Sequence, residues 1–191
     1  MQKLEFKKKD LKRTLVPTEN AFLSLARSII GQQISTKAAA SINTRFVKLF
    51  GKTKPSPKKL LTFTDAQMRE AGLSRAKVVY LRDLAKKFLD KTIDPSLFKD
   101  MSDTEIKDHL VQVKGIGPWT ADMFLIFALN RPNVLPVGDL AIVKSFKKVF
   151  NLKTLPNEKT MRSLAKPHEG SHTDLSLYLW QILDDNAEYP G

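Results

Sequence analysis

The stretch VKGIGPWTADMF, residues 113–124, decides how the chain is read. It sets two glycines, a proline and a tryptophan between apolar runs. Upstream, Ser102 and Glu105 have the spacing of a capping box and open a helix expected to reach Val113. Downstream, Pro118 suits the first position of a second helix, expected to end near Asn130. Only Lys114, Gly115, Ile116 and Gly117 are left to join the two. Glycine lets a backbone turn sharply and come close to a ligand, and Ile116 can anchor the turn in the core. The amides from Gly115 to Gly117 and the N-terminus of the Pro118 helix converge on one place. Together they make an uncharged cradle for a phosphate group, indifferent to base sequence. An ordinary turn between two helices has a similar composition, so both readings stay open on the turn alone.

The rest of the chain is punctuated like a helical protein. An apolar stripe at Ala21, Phe22, Leu25, Ile29 and Ile30 follows Pro17-Thr18 and stops at Gly31-Gln32-Gln33. Ser35 can cap a helix that continues to Phe50 and ends at Gly51. Residues 52–59, KTKPSPKK, read as a basic, proline-containing loop. Thr64 and Gln67 form a second capping-box pair, before a short helix ended by Gly72. Ser74 opens a longer helix to about Leu89, and Asp94-Pro95 a short one. Helices are expected over about 139–150, 157–165 and 173–184. No segment shows sustained period-two alternation, so little or no sheet is expected. With no linker, repeat or low-complexity tract, residues 1–191 read as a single compact domain of two helical lobes.

Composition narrows the partner. The chain has 191 residues with 32 Lys and Arg against 20 Asp and Glu, a formal net charge of +12. Such an excess suggests a polyanionic partner; the alternative is a solvated lysine-rich surface. No cysteine is present, which removes disulfides, thiolate metal sites and cysteine nucleophiles. His168 and His172 have i, i+4 spacing, but Gly170 lies between them and argues against a zinc-binding helix. No apolar run approaches the ~20 residues a membrane span needs. The N-terminal MQKLEFKKKD lacks a signal-peptide core, so the chain reads as intracellular: cytoplasmic or nucleoid in a bacterium or archaeon, nuclear in a eukaryote.

Three blocks, SIIGQQIS (28–35), VKGIGPWTADMF (113–124) and LPVGDLAI (135–142), supported by LYLWQ (177–181), carry a resemblance. In this order they resemble the helix-hairpin-helix DNA glycosylase superfamily and, within it, the 3-methyladenine DNA glycosylase II family of alkylation repair. The resemblance implies an all-α, two-lobed fold with its helix-hairpin-helix at about 103–130 and without the N-terminal sheet domain of longer relatives. It implies a monomer that removes 3-methyl and 7-methyl purines from duplex DNA in base excision repair.

The implied site follows residue by residue. Asp139, after the hairpin, takes the catalytic position; it can also cap the helix it opens, whose positive end favours a negative carboxylate. Bifunctional relatives carry a lysine nucleophile where Trp119 stands. An indole cannot form a Schiff base, so the resemblance implies a monofunctional enzyme that uses water. Trp119, Trp180 and Met123 are the implied base pocket, where electron-rich rings attract a cationic purine by about 0.5–2 kcal/mol; the alternative for Trp180 is core packing in an amphipathic helix. The element that fills the gap left by a flipped nucleotide falls on Gln33, with Gln32 and Ser35 beside it, or Gln33 is a plain loop residue. Lys114, Gly115, Ile116, Gly117 and Thr120 complete the implied DNA contacts. No cofactor is required, while the carbonyls of Val111, Val113 and Ile116 offer a place for a structural sodium or potassium ion.

The resemblance departs in LAKPHEGSHTDLSLYLW, which keeps Pro167 but lacks the tryptophan and arginine usual before the last helix. A helix-hairpin-helix DNA-binding protein without glycosylase activity is therefore the alternative, followed by a basic helical protein that binds RNA or another protein. If lysines contact phosphates, log affinity for duplex DNA should fall linearly with log salt, by about 0.9 per phosphate neutralised. A salt titration of binding measures this slope, and a flat response would exclude the basic surface as the contact.

Overall fold

The structure, a computed structural model, describes residue 11 and residues 14–183. The MQKLEFKKKD segment, on which the signal-peptide reading rests, lies outside the described residues. No strand occurs among the described residues, and none of their helices is long and apolar enough to cross a membrane. The chain divides into two compact units. One is Thr18–Ala121; the other comprises, of the described residues, those up to Pro17 and those from Asp122 onward.

The Thr18–Ala121 unit holds α1 (Ala21–Gly31), α2 (Thr36–Lys48), α3 (Pro57–Leu60), α4 (Asp65–Glu70), α5 (Arg75–Leu89) and α6 (Asp103–Leu110). Its helices start where short polar side chains can satisfy the first free amides. Ser35, Ser74 and Asn20 cap α2, α5 and α1. Thr64 with Gln67 and Ser102 with Glu105 form the two expected capping boxes. Helix α1 thus begins at Asn20 rather than at Pro17-Thr18, because Asn20 Oδ1 accepts from the Leu23 amide at 2.9 Å. The expected loop at 52–59 is shorter than read, since Ser56 caps α3 with Pro57 in its first turn. A 3₁₀ turn covers Pro95–Leu97.

Helix α5 is central here. It packs against α1, α3 and α4, burying Val78, Leu81, Leu84 and Ala85. Phe46, Phe50 and Phe63 meet edge to face, with centroids 5.3 and 5.0 Å apart, the geometry favoured by ring quadrupoles.

Helix α7 (Pro118–Phe127) carries the chain across the unit boundary, which falls between Ala121 and Asp122. It ends three residues before the expected Asn130, and α6 ends three before the expected Val113. Beyond α7 lie α8 (Leu140–Val149), α9 (Glu158–Ala165), a 3₁₀ turn at Lys166–His168 and α10 (His172–Leu183). Helices α8 and α10 pack on each other, with Ile142, Phe146, Leu175 and Leu179 buried. Their seam is tied by the Ser145 hydroxyl, which donates to the Leu179 carbonyl at 2.7 Å.

Phe46 is fully buried and Val79 is half exposed at 50%. Phe46→Ala should cost about 3–5 kcal/mol through lost burial and the cavity it leaves, whereas Val79→Ala should stay within about 0.5 kcal/mol. Urea unfolding of both variants measures the contrast; similar losses would argue against this core.

Candidate DNA-repair site

In the Thr18–Ala121 unit the hairpin joining α6 and α7 is built from short-range bonds. The Val111 amide donates to the Lys107 carbonyl at 2.9 Å, Val113 to Leu110 at 3.1 Å and Ile116 to Val113 at 3.0 Å. Ile116 is buried and anchors the turn. The two glycines differ in their reason. Gly115 has φ +83°, and a Cβ there would lie 2.3 Å from Cδ2 of Tyr80. No side chain fits. At Gly117 an added Cβ would meet nothing within 4 Å. Its backbone faces open space, as close approach of a ligand requires. Among the described residues the Gly115 and Gly117 amides have no hydrogen-bond partner, so both can donate to an anion.

Helix α5 supports this turn from behind. Tyr80 lies against Gly115, and Oδ2 of Asp83 accepts from the Lys114 amide at 2.8 Å. The Lys114 side chain is exposed.

The Gly31–Ser35 loop belongs to the same unit. Gln33 is exposed and has φ +58°, uncommon for a residue with a side chain. Gln32 turns the other way: its Nε2 donates to the Gly115 carbonyl at 2.7 Å and reaches Oγ1 of Thr120 at 3.3 Å. Thr120, expected among the DNA contacts, is 5% exposed. Ser35 spends its hydroxyl on the α2 cap, accepting from the Ala38 amide at 3.3 Å. Lys77 on α5 donates to the carbonyls of Ile30 and Gln32 at 2.7 and 2.9 Å. A cation there suits the negative end of α1. Burial of the Lys77 ammonium lowers its pKa from the ordinary lysine value.

The second unit holds Asp139. It is the N-cap of α8, and its Oδ1 accepts from the Ile142 amide at 2.9 Å. The same oxygen accepts from Trp180 Nε1 at 3.1 Å. Trp180 comes from α10, is 7% exposed and stacks on Phe127 of α7, centroids 5.7 Å apart and planes at 25°. The α8–α10 packing therefore positions the indole, and two fixed N–H donors set the carboxylate's rotamer. Asp139 and Trp180 are brought together as one constellation. Met123 is buried, while Trp119, four residues earlier on α7, is 39% exposed. The 166–171 segment is braced by the Gly170 amide, which donates to Asn133 Oδ1 at 2.9 Å. His172 Nε2 lies 3.1 Å from the Ala165 carbonyl, and among the described residues no cluster of His, Cys, Asp or Glu could hold a metal ion.

Sequence reasoning missed Lys77, Tyr80 and Asp83. They recur at i, i+3 and i+6 on α5, one helical face, yet two of the three are polar and sit some thirty or more residues from their partners. It also missed Phe127, which reads as plain core.

Known proteins resemble this chain in sequence and in fold. The profile of the HhH-GPD superfamily base excision DNA repair proteins matches residues 26–169. A DNA-3-methyladenine glycosylase of Saccharomyces cerevisiae is 40% identical over 186 residues, covering 92% of this chain and 62% of the relative. A putative DNA-3-methyladenine glycosylase of Bacillus subtilis is 30% identical, covering 89% of this chain and 61% of its own. The chain thus spans about six tenths of the length of these curated relatives. Among solved structures, a DNA-3-methyladenine glycosidase from Bacillus halodurans superposes with TM-score 0.83 at 32% identity, covering 94% of this chain and 83% of that one. A 3-methyladenine DNA glycosylase of Schizosaccharomyces pombe, in complex with abasic DNA, gives TM-score 0.78 at 28% identity over 95% and 91%. The expected all-α glycosylase fold is thereby established. On the match over most of its length, the chain belongs to the HhH-GPD superfamily of base excision DNA repair proteins.

Proposed function

We propose that this protein is a monofunctional DNA glycosylase that hydrolyses the glycosidic bond of 3-methyl and 7-methyl purines in duplex DNA. The observation that carries the reading is the Asp139 carboxylate, held on one oxygen by both the Ile142 amide and the Trp180 indole. An oriented carboxylate at a helix N-terminus is a preorganised negative field for a developing positive sugar. Alkylation at N3 or N7 already makes the base cationic and a good leaving group, so no strong acid is needed. As the C1′–N bond breaks, the bond electrons leave with the base, neutralising it. Water adds to C1′ and gives up its proton to solvent. No amine stands at position 119 to attack the sugar.

Binding divides into phosphate contacts and base contacts. The Gly115 and Gly117 amides, assisted by Lys114, take a backbone phosphate on the sequence-indifferent side of the account. Gln33, exposed and aimed by its loop, fills the gap left by the flipped nucleotide. Trp119, with its accessible ring, and Trp180, stacked on Phe127, are each proposed as a stacking partner for the flipped base. The carbonyls of Val111, Val113 and Ile116 would hold a monovalent cation. Val113 accepts one hydrogen bond from Ile116, which leaves the second lone pair of its oxygen for such an ion. Bound there, the ion would stiffen the turn and add positive charge beside a phosphate. Residues 1–191 act as one glycosylase domain, as an intracellular monomer on DNA that contains alkylated bases. The alternative, a DNA-binding protein without excision activity, draws on the unusual 167–172 segment.

Release of free bases from methylated duplex DNA, followed by chromatography, separates the two readings. Cleavage should leave an intact abasic site, broken only by added heat or base. Borohydride should trap no protein–DNA adduct; an efficient adduct would rule out the monofunctional chemistry. Asp139→Asn keeps the capping oxygen but removes the charge, a loss of about 3–4 kcal/mol, so excision should fall at least about a hundredfold with DNA binding retained. Near-normal excision by this variant would refute the role of Asp139. Trp180→Phe keeps a ring against Phe127 but deletes the donor to the carboxylate; losing a hydrogen bond to a charged group should slow excision by about tenfold or more. Single-turnover rates on 7-methylguanine DNA report both effects.

A further inference from the structure

The backbone at Gln33 is held in a conformation that a residue with a side chain disfavours, φ +58°. Something must hold it. The angle φ of Gln33 describes rotation relative to the Gln32–Gln33 peptide plane. The oxygen of that plane, the Gln32 carbonyl, accepts from Lys77 Nζ at 2.9 Å, and the same ammonium grips the Ile30 carbonyl at 2.7 Å. The Gln32 side chain adds a second tether, from Nε2 to the Gly115 carbonyl at 2.7 Å. Both tethers lead to the same support. Lys77, Tyr80 and Asp83 stand at i, i+3 and i+6 on α5; the first holds the loop, and the other two hold the hairpin through Gly115 and the Lys114 amide.

We infer that Lys77 and Gln32 are positioning residues that fix the Gln33 plug relative to the phosphate-binding hairpin, so that seating the hairpin on the backbone delivers the plug at a set depth. The inference rests on the proposed role of Gln33 as the gap-filling residue. Lys77 makes no DNA contact in this scheme; its ammonium is spent on two carbonyls. Without it the Gln32–Gln33 plane is free to rotate, Gln33 relaxes to negative φ, and its amide swings away from the gap. A preorganised plug does not have to be ordered when the base leaves the stack, which is where the rate advantage arises.

The test is a double-mutant cycle on the full chain, read by single-turnover excision of 7-methylguanine and by fluorescence of 2-aminopurine placed beside the lesion. Lys77→Met keeps the stem and removes the charge. It should slow excision by about tenfold and weaken the unstacking signal, yet change excision by less than about twofold when Gln33 is already alanine, because coupled residues are not additive. Affinity for undamaged duplex should stay within about threefold, as expected if Lys77 touches no phosphate. Lys77→Arg, which can still donate to both carbonyls, should restore most of the rate. Gln32→Leu, similar in size but without the donor, should reproduce the same non-additivity, and it replaces Lys77→Met if circular dichroism shows that variant misfolded. Full additivity of both variants with Gln33→Ala would overturn the inference while leaving the plug intact. A silent Gln33→Ala would overturn the plug and the inference together, leaving Asp139 and the excision reaction untouched.

Discussion

A side chain at Gly115 would force the Tyr80 ring to shift and strain the backbone, and the hairpin is arranged around that constraint. The Tyr80 ring occupies the place its Cβ would take, at 2.3 Å, and its φ of +83° is one that side chains rarely adopt. Because the ring sits so close, the turn is pressed onto α5 rather than projecting from α6. The carbonyl of the same residue then becomes available to Gln32, and the neighbouring Lys114 amide to Asp83. A flexible reversal becomes a fixed platform, with the Gly117 side left open. Preorganised amides bind an anion without the cost of ordering them first.

The second unit concentrates two duties on one carboxylate. Asp139 caps α8, and the oxygen that does so also receives the Trp180 indole. Cap and site are not competing uses. The cap fixes the side chain near the positive end of the helix, and the indole fixes the remaining rotation. Trp180 in turn owes its place to α8–α10 packing and to Phe127. A buried indole needs a partner for its N–H, and here the partner is the residue on which the proposed chemistry depends.

Lysine is used in two distinct ways. Among the described residues most lysines and arginines are exposed, where their charge is screened by salt and acts at long range. Lys77 is half-buried and directed inward at two carbonyls. Counting charges treats both alike, although the Lys77 ammonium is already committed to two carbonyls.

Local chemistry was legible in the sequence because its causes are local. The capping boxes at Thr64 and Ser102, the caps at Ser35, Ser74 and Asp139, and the Gly-Ile-Gly turn each depend on residues no more than four apart, and each stands where it was expected. The helical class and the family followed from these signals together with the three motif blocks. Helix ends were less legible: α6 and α7 stop a turn early, because apolar residues continue past the last helical hydrogen bond. What only the tertiary structure decided are the long-range pairings: Trp180 with Asp139 across 41 positions, Lys77 with Gln32 across 45, Gln32 with Gly115 across 83. A glutamine in a loop or a lysine on a helix carries no mark of its partner. Its role is set when helix packing brings a particular carbonyl within 3 Å, and no pattern of neighbouring residues encodes that distance.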